Sequence, residues 1–203
     1  MMKRLTFLFL FSGVFLVAKA DNVPIVSSAT TTTNSTSSPT QNIDTNPAWA
    51  AAMGGSSWVS FASTGNPSDA GFVAVANGTA VTFTDTFTLN GPVTGAYLAV
   101  LADDTASVWV NGTEIEAANL TGPYPKCAAT GIGCLTTTAG LFNTAQLAPY
   151  LHNGVNDIQF KVYQEGGSSY GLDHAGAITT PEPSTFCLLG AGLFGLALLK
   201  LRK

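Results

Sequence analysis

Residues 79–90 read Thr-Ala-Val-Thr-Phe-Thr-Asp-Thr-Phe-Thr-Leu-Asn. Positions 82, 84, 86 and 88 are all Thr, while 81, 83, 87 and 89 are Val, Phe, Phe and Leu. Strict period-two alternation of this kind puts successive side chains on opposite faces, so the segment is predicted to be a half-buried strand. Asp85 interrupts the apolar face, which predicts a bend or a sheet edge there. Ile158, Phe160 and Val162 alternate with Gln159, Lys161 and Tyr163 and predict a second strand of the same type. Tyr97 to Ala102 is uniformly apolar and predicts a strand buried on both faces. Ser107–Val110, Asn111-Gly112 and Thr113–Glu116 predict a hairpin, because Asn-Gly supplies the two positive φ angles of a type I′ turn. Only Thr144 to Leu151 reads as a helical turn. Short strands separated by Gly-rich turns predict an all-β fold, an antiparallel jelly-roll-like β-sandwich.

The 203 residues suffice for one domain of ordinary size. Charge is segregated along them. Lys3, Arg4 and Lys19 lie at the front and Lys200, Arg202 and Lys203 at the back. Residues 21–183 hold only Lys126 and Lys161 against all twelve acids, a net charge of 2 − 12 = −10. So acidic a surface repels phosphate backbones and excludes nucleic acid as a partner.

Residues 1–20 have the layout of a secretory signal peptide: a basic start, an apolar run from Leu5 to Ala18, and Ala18-Lys19-Ala20 as the small-residue site for signal peptidase, with cleavage before Asp21. The apolar run is shorter than the roughly 20 residues a membrane span needs. Residues 21–47, rich in Ser, Thr, Asn and Pro, are predicted to be a disordered linker. The β-sandwich is assigned to residues 48–179.

Residues 180–203 carry a second apolar run, Phe186 to Leu199, that ends in Lys200-Leu201-Arg202-Lys203. Cations after the run hold that end in the cytoplasm, so the expected precursor crosses the inner membrane outside to inside through a C-terminal transmembrane helix. Pro181-Glu182-Pro183 stands just before it. Motif, Gly-rich apolar helix and basic tail together resemble the PEP-CTERM sorting domain of Gram-negative bacteria, although Thr180 stands where that family commonly has Val. The resemblance implies processing by an exosortase, export to the cell surface and association with an exopolysaccharide matrix. Leu101 to Gly112, which includes Asp103-Asp104, and Leu151 to Val162 resemble the central hairpin and following strand of galactose-binding-like jelly rolls, the sugar-binding modules of many glycosidases. That resemblance implies fold more than function.

Candidate chemistry is sparse. The chain has two histidines, His152 and His174, both read as polar loop residues; Asp173 adjoins His174, but neighbours on an extended chain point apart, so no serine triad is expected. Cys127 and Cys134 are predicted to form a disulfide in an exported protein, pinning the excursion over residues 117–140; Cys187 lies in the apolar tail. Asp103 and Asp104 could supply oxygens to calcium, with help from Asp157, Glu165 or Asp173, or simply make a turn. Glycan recognition calls for flat aromatics and amides, for which Trp58, Asn119, Tyr124, Tyr163 and Tyr170 are the candidates, with Trp109 assigned to the core.

Together these features describe an exported, non-enzymatic surface or matrix protein with polysaccharide as a candidate ligand. The competing readings are a structural or adhesive matrix component without a ligand, and a secreted glycan hydrolase. Pro181-Glu182-Pro183 is expected to mark a processing site: the intact mass of protein from its native host should lack residues 184–203, and a mass that still includes them would contradict this.

Overall fold

The computed structural model describes residues 20–121, 127, 131–181 and 192. All but Ala20 of the expected signal peptide, and most of the C-terminal apolar run expected to form a transmembrane helix, therefore lie outside the described residues; within those described, no helix is long and apolar enough to cross a membrane.

Among the described residues, eleven strands form two antiparallel sheets. The first has the order β3 (Gln41–Asn42), β4 (Val59–Ser60), β11 (Gly171–Thr180), β6 (Gly95–Asp103), β9 (Gly140–Asn143), with β1 (Asp21–Val26) also paired to β11. The second runs β2 (Thr32–Asn34), β5 (Ala80–Leu89), β10 (Gly154–Tyr163), β7 (Thr105–Val110), β8 (Thr113–Glu116). A short helix, α1 (Thr144–Leu147), follows β9 and continues as a 3₁₀ turn to Tyr150. Asn143 caps α1, its side chain accepting a hydrogen bond from the Ala145 N–H at 2.9 Å.

The alternating strands form as the pattern requires. β5 and β10 pair in register, with Phe83 opposite Phe160 and Val81 opposite Val162, and all four side chains are buried. They pack against Leu98, Val100, Leu172 and Ile178 of the other sheet in one core. Asn111 and Gly112, at φ 47° and 78°, make the expected turn between β7 and β8.

Five expectations need correction. Residues 21–47 are not wholly a spacer, since they supply β1, β2 and β3. Ile25 is buried in the core, and Ser27 and Thr32 are buried with hydrogen-bond partners; pairing the backbone to β11 and β5 compensates for the scarcity of apolar side chains. β6 is covered on both faces only toward its end, because Tyr97 is 61% exposed. Trp109 is half-buried on the face of β7 opposite Val108 and Val110, and its indole N–H donates to Ser107 Oγ at 3.1 Å. Asp85 lies in mid-strand between β2 and β10 and is buried. There it meets His174 Nε2 at 2.8 Å, so His174 is an interior residue rather than a loop residue. His174 also stacks on Phe160, with ring centroids 4.3 Å apart.

Tyr170 is also interior. Its Oη donates to the Val162 carbonyl at 2.8 Å and accepts the Val81 N–H at 3.1 Å, joining two paired strands where no water reaches. Tyr170→Phe keeps the ring but strips both backbone groups of this partner, so it should lower unfolding free energy by about 1–3 kcal/mol. Denaturant unfolding of the purified domain reads this directly, and an unchanged midpoint would show that the bridge does not stabilise the fold.

Candidate ligand pocket

The loops at one end of the sandwich enclose a cavity of about 360 Å³ lined by Asn46, Trp49, Asp103, Asp104, Gln164 and Ser169, with Cys127 and Cys134 in its wall. Each side chain is placed by a strand end or by a turn tied to one. Asp103 is the last residue of β6, paired with Gly171 at the start of β11. Asp104 follows it and is held to the end of β10: its N–H donates to the Tyr163 carbonyl at 3.0 Å, and its Oδ2 accepts the Glu165 N–H at 2.6 Å. Gln164 is buried, its N–H donating to the Thr79 carbonyl and its Nε2 to the Ser169 carbonyl at 2.6 Å.

The opposite wall comes from the β3–β4 connection. Asn46 makes an Asx turn, accepting the Ala48 N–H on Oδ1 at 2.9 Å, and its Nδ2 donates to Ser169 Oγ at 2.8 Å. That turn carries Trp49, whose indole packs on Trp58 with centroids 4.3 Å apart. Gly171 lies tightly beneath it: a Cβ there would come within 3.2 Å of the Trp49 ring and 3.0 Å of Ile43. Beyond Trp49, the Ala50 N–H donates to the Cys134 carbonyl at 2.8 Å and the Trp58 indole N–H to the Ala50 carbonyl at 3.1 Å. Cys127 and Cys134 are disulfide-bonded, so the cross-link holds the wall on which the Trp49 turn rests.

The sequence candidates disperse. Trp58 and Tyr170 are buried at 1% and 0% exposure, Trp58 as the support of Trp49 and Tyr170 in the core. Tyr163 lies on β10 with the Lys161 ammonium 5.2 Å from its ring centroid. Asn119 caps its own turn, accepting the Thr121 N–H at 3.2 Å. Tyr124 lies outside the described residues. Asp103 and Asp104 alone reach the cavity. The residues missed were Trp49, Asn46 and Gln164; the signal for them was the Asn46-Pro47 turn just ahead of a lone Trp, but convergence with residue 164 needs the fold.

Of the acids considered with the Asp pair, Asp157 lies six residues back along β10 from Tyr163. Asp173 points away from the cavity, accepting Ser27 Oγ–H and the Met53 N–H, each at 2.9 Å. Among the described residues no group of three or more His, Cys, Asp or Glu side chains is placed to hold a metal. For calcium, which takes six to eight oxygens, the cavity contributes the Asp103 and Asp104 carboxylates and no further acid from those considered. The Asp85–His174 pair is closed to solvent at 4% and 0% exposure, so it lacks the access a hydrolytic site needs.

Burial is the largest influence on Asp103, and the neighbouring Asp104 charge and hydrogen bond add to it, raising its pKa to about 9; a hydrogen bond from Trp49 works the other way. Burial and the adjacent like charge therefore favour the protonated form of the Asp103 carboxyl, the form that can donate a hydrogen bond. Its pKa is higher folded than unfolded, so the folded state binds this proton more tightly. That stability is complete below the unfolded pKa, near 4, and is lost as pH rises toward 9. The unfolding midpoint should fall between pH 6 and 9, and Asp103→Asn, which mimics the protonated acid, should flatten the slope. Equal slopes in the two proteins would contradict a buried protonated Asp103.

An α-L-rhamnosidase of Streptomyces avermitilis, solved with L-rhamnose, is 20% identical with a TM-score of 0.44; the match covers 68% of this chain and 12% of the rhamnosidase. A family 35 carbohydrate binding module from Clostridium thermocellum is 14% identical with a TM-score of 0.37, covering 76% of this chain and 96% of the module. No curated protein sequence matches the chain. Residues 179–203 match the PEP-CTERM protein-sorting motif. The chain thus ends in the PEP-CTERM sorting signal, which implies an exported, membrane-anchored precursor processed by an exosortase for the cell surface.

Proposed function

We propose that this is an exosortase-sorted surface or matrix protein whose sandwich binds a neutral glycan, without catalysis, in the pocket lined by Trp49 and Asp103-Asp104. The observation that carries the reading is the chemistry of the lining. The lining brings together the Trp49 indole, the Asp103 carboxyl it is hydrogen-bonded to, a second carboxyl, two amides and two serine hydroxyls (Ser168 and Ser169) around about 360 Å³. A sugar ring has an apolar face and a rim of hydroxyls that both donate and accept, and it needs that mixture. The volume lies within the roughly 300–1,000 Å³ of small-ligand sites.

The charge balance favours a neutral sugar over a uronate. The span from 21 to 183 has a net charge of −10, which opposes the approach of polyanions. No cationic side chain is among the described residues that line the cavity. The disulfide and the Asn46 turn support the reading because they hold the lining in place before a ligand arrives, which reduces the ordering cost of binding. Calcium enters the proposal as a second ligand of Asp103 and Asp104, one that would have to displace the Asp103 proton.

The test is binding of residues 21–183, keeping β1 to β3, to a panel of neutral and uronate-bearing polysaccharides, with calcium and again with chelator. Saturable binding to neutral members, lost in Trp49→Ala and weakened at least tenfold in Asp103→Ala (about 1.4 kcal/mol), is the expected result. Loss in chelator would assign the Asp pair to calcium. A folded sample that binds nothing would leave a matrix component without a ligand as the function.

A further inference from the structure

Asp21, the residue expected to begin the mature chain, pairs with Thr180, the residue immediately before the sorting motif. Over its last six residues β11 is a central strand, with β1 along one side from Asp21↔Thr180 to Val26↔Ala175, and β6 along the other from Gly95↔Thr179. The Thr94 N–H and hydroxyl both donate to the Thr179 carbonyl, at 2.8 and 3.1 Å. Thr180 is 0% exposed. Pro181 lies against Gly91, where a Cβ would meet its carbonyl oxygen at 3.5 Å. The fold therefore runs without a spacer into the motif, and residues 181–185 before the apolar run extend at most about 18 Å.

A peptidase takes its substrate as an extended segment and supplies the missing main-chain partners itself. Residues 175–179 have none to offer, because both of their edges are occupied, and Thr180 is paired to Asp21. β1 is the side that can yield. It is six residues long, lies at the sheet edge and has Pro24 at its centre, opposite Ala177, and Ile25 is its one fully buried side chain. β6, by contrast, is nine residues long and continues into the pocket wall. We propose that β1 is the gate on the sorting motif: docked on β11 it shields the residues leading into Pro181-Glu182-Pro183, and the processing enzyme acts on the chain with β1 undocked. Because the pairing begins at Asp21, the end expected to be freed from the signal peptide is also the end that closes the gate.

The test uses full-length protein in its native host, with tail removal followed by pulse-chase and intact mass. Asn22 and Thr179 are register partners, and paired strands bring Cα atoms to about 4.5–5.5 Å, within disulfide range. A double variant, Asn22→Cys with Thr179→Cys, staples β1 to β11. Since cleavage follows the open population, the stapled protein should be processed at least about tenfold more slowly. Eight Gly/Ser residues inserted between Thr180 and Pro181 should restore processing in the stapled protein and hasten it in the unstapled one. Stapled protein processed at the unaltered rate would overturn the proposal. So would stapled protein that stays unprocessed with the insertion, or an unaltered chain that is never processed. None of these outcomes depends on what the pocket binds.

Discussion

His174 Nε2 and Asp85 Oδ2 meet at 2.8 Å between the two sheets, with Phe160 stacked on the imidazole. Much of the remaining structure is arranged around this polar contact inside an apolar core. A buried polar group costs less with a partner, and this contact gives His174 Nε2 and Asp85 Oδ2 one across the two sheets. The adjacent residue works on the other face. Asp173 accepts hydrogen bonds from Ser27 and Met53 and ties the β3–β4 connection and the end of β1 to the same strand.

β11 therefore organises the molecule from end to end. Its first residue, Gly171, leaves room for Trp49 and pairs with Asp103, so the pocket is built where the strand begins. Its last residue, Thr180, pairs with Asp21 and leads into the sorting motif. Ten residues at roughly 3.4 Å each put about 30 Å between the two. The pocket thus lies at the opposite end of β11 from the sorting motif.

An acidic side chain behaves differently in solvent and inside a cavity. Concentrated at Asp103-Asp104, inside a cavity, the same residue type becomes a proton donor, because desolvation and a like charge both oppose its ionisation. The difference is one of position and not of composition.

The sequence by itself determined the alternating strands β5 and β10, the Asn111-Gly112 hairpin, the Cys127–Cys134 bridge and the C-terminal sorting signal, because each rests on local periodicity, turn chemistry or a contiguous motif. It did not reveal that Asp85 and His174 are partners, that Trp58 lies beneath Trp49, that Tyr170 is a core bridge, or that polar residues 21–42 supply three strands. Those depend on contacts between positions far apart in the chain, such as 85 with 174 or 46 with 169. A buried polar side chain and an exposed one look alike until its partner is known. Only the tertiary structure decided which aromatic lines a pocket and which fills a core, because burial is a property of the packed sheets rather than of the residue.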